Sequence, residues 1–272
     1  MLRAAISGPN GFIGSRLLKR TSEASGVQIT PFIGDLNNRS QLKKFFEKNS
    51  ELTHFIHTGG LASGPKENLY YSNVLATSSL ITELNRNNIK NVVFTSSGAV
   101  YGNSTINSLT EEAPLNPCDY YGFSKFIAEE ELRMAERDGA LNVTILRLSN
   151  VYGGNSKNGV IATLFKSIME NQQALIHGDG SQIRQFVHVD DVCDVLLSSL
   201  NHTSTGCFNI GSEIVMSVND LVKLFGAHYT FNVTHKEEKN KLKNLVLNYD
   251  KARYQLAFTP KHQELDLSEL FC

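Results

Sequence analysis

The sequence predicts a doubly wound α/β fold, a parallel sheet covered by helices on both faces. Three observations predict it. Short β-rich runs alternate with helical stretches over the first two thirds of the chain. A Gly-rich turn joins the first run to the first helix. The 272 residues, 41% hydrophobic and 19% charged, are an ordinary globular mix with enough chain for a large core.

In order, the β-rich runs are residues 2–7, 27–33, 53–58, 91–96 and 142–148. Between them, apolar residues three and four apart mark helices over 12–21, 41–48, about 67–87, and 121–137. Beyond Tyr152 the order loosens. Helices over 160–170 and 190–200 are interrupted by Gly178-Asp179-Gly180 and Ser204-Thr205-Gly206. No Pro-, Gly- or Ser-rich linker separates the parts, so the last 60 or so residues read as a small lobe packed on the first domain.

Charge and cysteines narrow the function classes. Lys plus Arg (26) against Asp plus Glu (27) gives a net charge of −1, which lacks the basic excess of a nucleic-acid binder. Residues 235–243, HKEEKNKLK, mix both signs and read as a solvated face. Cys118, Cys193, Cys207 and Cys272 lack metal-site spacing and read as incidental thiols. No apolar run approaches a membrane span, and the N-terminus has no signal-peptide core. The expectation is a cytoplasmic protein with no membrane or nucleic-acid partner.

The turn Ser7-Gly8-Pro9-Asn10-Gly11-Phe12-Ile13-Gly14 follows a strand and opens a helix. Gly8 permits the tight turn, Gly11 admits a pyrophosphate, and Gly14 lets helix and strand approach. Asn10, Phe12 and Ile13 complete the loop, whose free N–H groups lie at the positive helix end.

Phe94-Thr95-Ser96-Ser97-Gly98-Ala99 puts hydroxyls at the C-terminal edge of a strand, where ligands bind in open α/β sheets. Downstream, Tyr121 and Lys125 stand four apart on a predicted helix and share one face. A phenol of pKa about 10 is a poor base at neutral pH. An ammonium and an oxidised nicotinamide would favour the phenolate; reaching about 7 requires roughly 4 kcal/mol. Ser97 could then hydrogen-bond the substrate oxygen. Tyr120 competes with Tyr121 but lacks the lysine one turn on.

The Gly-x-x-Gly-x-x-Gly spacing with Ser97, Tyr121 and Lys125 resembles the extended short-chain dehydrogenase/reductase family, and the resemblance covers nearly the whole chain. It implies a Rossmann-like domain over 1–150, with 185–210 returning to it. Residues 151–184 and 211–272 would form the substrate-binding lobe. It also implies NAD or NADP as cofactor, and a homodimer through helices 67–87 and 121–137. The family usually has two strands between Gly14 and the run Gly34-Asp35-Leu36; only one fits here. Asp35 could therefore serve the ribose or the adenine, with Leu36 beside it. NAD versus NADP stays open, since Arg16 or Arg39 could receive a 2′-phosphate. Thr58-Gly59-Gly60, Asn73 and Ser96 match the family's cofactor-facing positions, with Gly-Gly replacing Ala-Ala as a harmless change. His57 reads as a packed strand-end histidine.

Within that family, Arg147-Leu148-Ser149-Asn150 and Arg184-Gln185-Phe186-Val187-His188 resemble nucleotide-sugar epimerases. There Asn150 would contact the diphosphosugar and Arg184 would clamp its pyrophosphate. Phe208-Asn209-Ile210-Gly211, 216–221 and 248–253 fit the same pattern. The Arg-Pro-Gly that the family often carries before 248–253 is replaced by Asn240-Lys241-Leu242-Lys243-Asn244, so the second nucleotide clamp stays open, with Lys241 or Lys243 as candidates. Gly98-Ala99 cannot supply the acid of the sugar dehydratases. His188, Asp190 and Asp191 read as structural, and no metal is expected. The resemblance implies a UDP-glucose 4-epimerase-like enzyme working by hydride transfer on a nucleotide-diphosphate sugar. The alternatives are an NADPH-dependent 4-keto-sugar reductase, an inactive NAD(P)-sensing relative, and a reductase of non-nucleotide ketones.

Overall fold

A computed structural model describes residues 1–21, 26–104, 107–154, 156, 159–201, 205–237 and 244–267. Lys241 and Lys243 lie outside the described residues. The first half runs β1 (Leu2–Ser7), α1 (Phe12–Thr21), β2 (Val27–Pro31), α2 (Arg39–Lys48) and β3 (His54–His57). Next come α3 (Lys66–Leu69), a π-helical turn (Tyr70–Leu75), α4 (Ala76–Arg86), β4 (Asn91–Ser97), a 3₁₀ turn (Gly98–Tyr101) and α5 (Tyr120–Arg137). The chain continues through β5 (Asn142–Leu148), β6 (Asn150–Tyr152), α6 (Val160–Asn171), β7 (Gln173–His177), β8 (Ile183–His188) and α7 (Val189–Ser199). It ends with β9 (Gly206–Ile210), β10 (Val215–Ser217), α8 (Val218–Gly226), β11 (Asn232–Lys236), β12 (Asn244–Leu245) and α9 (Asp250–Gln255).

The main sheet has six parallel strands in the order β2-β1-β3-β4-β5-β9. One apolar core lies under α1, α7 and α9, around Ile6, Val93, Leu146 and Phe208. The other lies under α2, α4 and α5, around Phe55, Leu80, Phe94 and Leu132. Neighbouring strand residues thus point into opposite cores, as the two-residue strand period demands.

Among the described residues, a single strand, β2, separates α1 from Asp35 and forms the sheet edge. It stops at Pro31, which carries no N–H for a ladder. The long helix expected over 67–87 is α3 and α4 joined by the π turn. Helix α5 starts at Tyr120 because the Asp119 carboxylate accepts the Gly122 N–H at 2.6 Å, an N-cap.

A second sheet, unforeseen in the sequence, holds β10, β8 and β12, with β6 also paired to β8. Strand β8 belongs to both halves of the molecule: Val187 enters the core under α7, and Phe186 enters a third core with Leu164 and Phe225.

Candidate active site

The C-terminal ends of β1, β3 and β4 converge on the Gly-rich turn. Gly8 has φ +68°, and a Cβ at Gly14 would collide with the Gly8 carbonyl oxygen. Strand and helix therefore meet with no room for a side chain, and the first N–H groups of α1, at Phe12 and Ile13, open outward beside the exposed Asn10 and Gly11. This cradle fits a pyrophosphate.

Beside it, Thr58 Oγ1 donates to the Ser7 carbonyl at 2.7 Å, and the Gly59 N–H donates to Ser7 Oγ at 3.1 Å. Gly60 sits at φ +139°, and a Cβ there would fall 2.5 Å from Asn73 Oδ1. Gly60 is thus a requirement here, whereas a Cβ at Gly59 would come no closer than 3.1 Å, to Ser7 Oγ. Asn73 accepts from the Leu61 N–H at 2.8 Å and donates to the Leu61 carbonyl at 2.9 Å and Ser124 Oγ at 2.8 Å. Both amide protons are consumed by protein. Asn73 clamps the cofactor-facing segment to α5 from beneath and does not reach into the cleft.

His57 is buried and holds its neighbours in a directed chain. Thr77 Oγ1 donates to the Asn73 carbonyl at 2.6 Å, so it accepts from His57 Nε2 at 3.0 Å. Nδ1 then accepts from Ser7 Oγ at 2.7 Å. Burial, aided by Lys125, brings this imidazole down to about 3, so it stays neutral. It is the packed strand-end histidine the sequence suggested.

On α5, the Tyr121 phenol lies close to Ser97, and Lys125 lies one turn behind. Lys125 Nζ donates to the Thr95 carbonyl at 2.9 Å and sits 4.6 Å from the Phe94 ring centre. Ser97 Oγ also accepts the Ala99 N–H at 3.2 Å, which fixes the 3₁₀ turn. Burial brings the ammonium of Lys125 down to about 8, and Glu129 opposes that fall. Tyr121 moves the other way from expectation. Burial pushes its phenol above the ordinary value, Asp119 adds to this, and only Ser97 opposes it. The lysine alone does not activate the phenol, because its Nζ is turned to Thr95. Tyr120 is 63% exposed on the outside of α5 and drops out as a candidate.

Three other expected ligands need correction. Ser96 turns its hydroxyl inward to Glu129 Oε1 at 2.5 Å, away from the cleft. Leu36 packs its side chain into the core beside Phe32, which leaves only its backbone to a ligand. Arg16 grips Asp190 with two bonds, at 2.6 and 2.7 Å, so it is not presented to a 2′-phosphate. Asp35 stays exposed in the loop after β2. Its carboxylate accepts from Tyr71 Oη at 2.9 Å and the Asn37 N–H at 2.9 Å.

On the lobe side, Asn150 Nδ2 donates to the Gln185 carbonyl at 2.9 Å, beside a small cleft lined by Tyr152, Ile161, Phe165 and Phe186. Arg184 lies in the middle of the second sheet, near enough to Cys118 to offset part of the burial that pushes that thiol up. Cys118 is three residues before Tyr121 in the chain. His188, Asp190 and His262 bring ligand atoms within 4.8 Å of one another. Their bonds are those of a latch. His188 caps α7, Arg16 and Arg20 hold Asp190, and Asp191 holds His262 and the backbone N–H of Lys261. The sequence reading missed Glu129 and the side chain of Arg147, which are buried and paired with each other.

A parallel sheet with a phosphate cradle at its C-terminal edge and a Ser-Tyr-Lys set beside it defines a dinucleotide-dependent α/β enzyme. The NAD dependent epimerase/dehydratase family matches residues 4–211, and this chain belongs to it. A Methanocaldococcus jannaschii protein named "Putative UDP-glucose 4-epimerase" is 34% identical, covering 97% of this chain and 94% of its own. The crystal structure of UDP-glucose 4-epimerase from Thermotoga maritima with UDP-glucose superposes with a TM-score of 0.88 at 24% identity, covering 99% and 96% of the two chains. That of Thermus thermophilus UDP-glucose 4-epimerase with NAD gives 0.87 at 21%, over 99% and 96%.

Proposed function

We propose that this chain is a nucleotide-sugar epimerase that binds NAD and inverts a secondary alcohol of a UDP-sugar, most simply at C4. The observation that carries the reading is the Tyr121 phenol set against Ser97, with Lys125 one turn behind, beside the Gly8–Gly14 cradle. The bound dinucleotide would supply the hydride acceptor and donor. Tyr121 takes the proton from the sugar hydroxyl and later returns it, while Ser97 orients that oxygen. The positive charge needed to bring the Tyr121 phenol down must exceed what Lys125 gives alone; an oxidised nicotinamide carries such a charge. Lys125 holds the ribose with its remaining protons. Asn150, at the end of the first domain, and Arg184, in the lobe, hold the diphosphate, the planar guanidinium gripping two oxygens.

Two observations favour NAD over NADP. The exposed Asp35 carboxylate can accept ribose hydroxyls and would repel a 2′-phosphate. Arg16 is held by Asp190, which leaves Arg39 as the remaining cation considered. We assign the dinucleotide to residues 1–150 with 185–210, and the sugar nucleotide to 151–184 and 211–272. A homodimer through α3–α4 and α5 is supported by exposed Tyr70, Tyr71, Tyr120 and Phe123, which line one apolar groove. No described helix is long and apolar enough to cross a membrane. Free thiols at Cys118, Cys193 and Cys207 support a reducing cytoplasm.

The test is to incubate the purified chain with NAD and UDP-galactose. Formation of UDP-glucose with no net change in nicotinamide absorbance supports the epimerase. Stoichiometric oxidation of NADPH by a 4-keto sugar replaces it with a reductase. Dinucleotide binding without turnover of any nucleotide sugar replaces it with a sensor.

A further inference from the structure

One face of α5 is stitched to three consecutive residues of β4. Tyr121 lies against Ser97, Lys125 bonds the Thr95 carbonyl, and Glu129 accepts from Ser96 Oγ at 2.5 Å. The helical residues are spaced at i, i+4 and i+8, so they form one ridge. Glu129 is the third rung and is fully buried. Arg147, the register partner of Ser96 on β5, grips both carboxylate oxygens, with Nη2–Oε2 at 2.7 Å and Nε–Oε1 at 3.0 Å. The far side of that guanidinium donates to Tyr101 Oη at 2.8 Å, which in turn donates to Asn209 on β9 at 2.7 Å.

A buried ion pair is seldom the most stable filling for a core. Its placement here asks for a role besides stability. We propose that Glu129 is a positioning residue. It locks the Tyr121–Lys125 face of α5 to the end of β4 and supplies the countercharge behind the lysine. Lys125 feels Glu129 on its own helix and His57 from β3, with Tyr121 one turn away on α5. Glu129 faces Arg147 from β5, Arg133 on α5 and Cys207 from β9. Its negative charge favours the lysine's charged form against burial. Removing that charge makes Lys125 lose its proton at lower pH.

The inference rests on the epimerase reading for its turnover readout, and NAD⁺ binding tests it separately. Glu129→Gln keeps the acceptor for Ser96 but removes the charge. Because a lone Arg147 could unfold the chain, the double variant Glu129→Gln/Arg147→Met removes both charges. Both should retain NAD⁺ binding at pH 6.5; Glu129→Gln should move the alkaline limb of binding down by about one pH unit, and the double variant, which also removes the opposing Arg147 charge, should move it down by less. UDP-galactose turnover should fall at least about tenfold in kcat with KM within about twofold. Glu129→Asp, which keeps the charge, should restore the limb. An alkaline limb identical to the parent's in both variants, with only Tm lowered, overturns the proposal. If the parent itself fails to convert UDP-galactose, the epimerase reading falls and the NAD⁺ limb still decides this one.

Discussion

Ser7 and His57, fifty residues apart in the chain, meet at 2.7 Å through Oγ and Nδ1. This contact ties the end of β1, where the phosphate cradle begins, to the end of β3. The imidazole is neutral in the folded chain, with its pKa brought down to about 3 from an ordinary 6.5.

Acid stability follows from that depression. Below pH 6.5 the unfolded chain takes up a proton on His57 that the folded chain refuses until about pH 3. The His57 contribution is complete above 6.5 and is lost as pH falls, at about 1.4 kcal/mol per unit. Urea unfolding at pH 7 and pH 4.5 should show a smaller loss for His57→Gln than for the parent.

Tyr121→Phe removes the proposed proton-transfer group and should leave the fold alone. Turnover should fall by about 10²–10⁴-fold. The dissociation constant for NAD, read by protein fluorescence, should stay within about threefold.

Asp35→Ala should weaken NAD at least about tenfold while easing entry of NADP, because the carboxylate proposed to face the 2′ position is gone. Arg16→Ala should leave the NAD-to-NADP preference unchanged, since its guanidinium is committed to Asp190. Calorimetric titration with both dinucleotides separates the two variants.

Gly60→Ala would drive a methyl into Asn73 Oδ1 at a backbone angle that side chains avoid. The clamp on Leu61 should open, with NAD binding weakened and Tm lowered by several degrees. Arg184→Ala leaves that clamp intact. It should weaken UDP-sugar binding by about 10- to 100-fold while NAD binding holds.

The parts of this molecule that were legible in the sequence are those built on short-range periods. The alternation of β and helical runs gave β1, α1 and β5 with their observed ends, because a residue's neighbours fix those patterns. The Gly8–Gly14 turn and the Tyr121–Lys125 spacing were readable for the same reason. Strands β6, β10 and β12, two or three residues each, carry too little pattern to announce a second sheet.

What the sequence determined by itself, then, is the parallel architecture, the cradle and the phenol-amine ridge. Only the tertiary structure decided where the polar side chains spend their hydrogen bonds. Arg16 went to Asp190 across 174 residues, Ser96 turned inward to Glu129, and Asn73 was consumed by Leu61 and Ser124. Helical and strand periods are set within a few residues. A buried donor takes whichever acceptor sheet register and helix packing bring to it, and that choice exists only once the chain has folded.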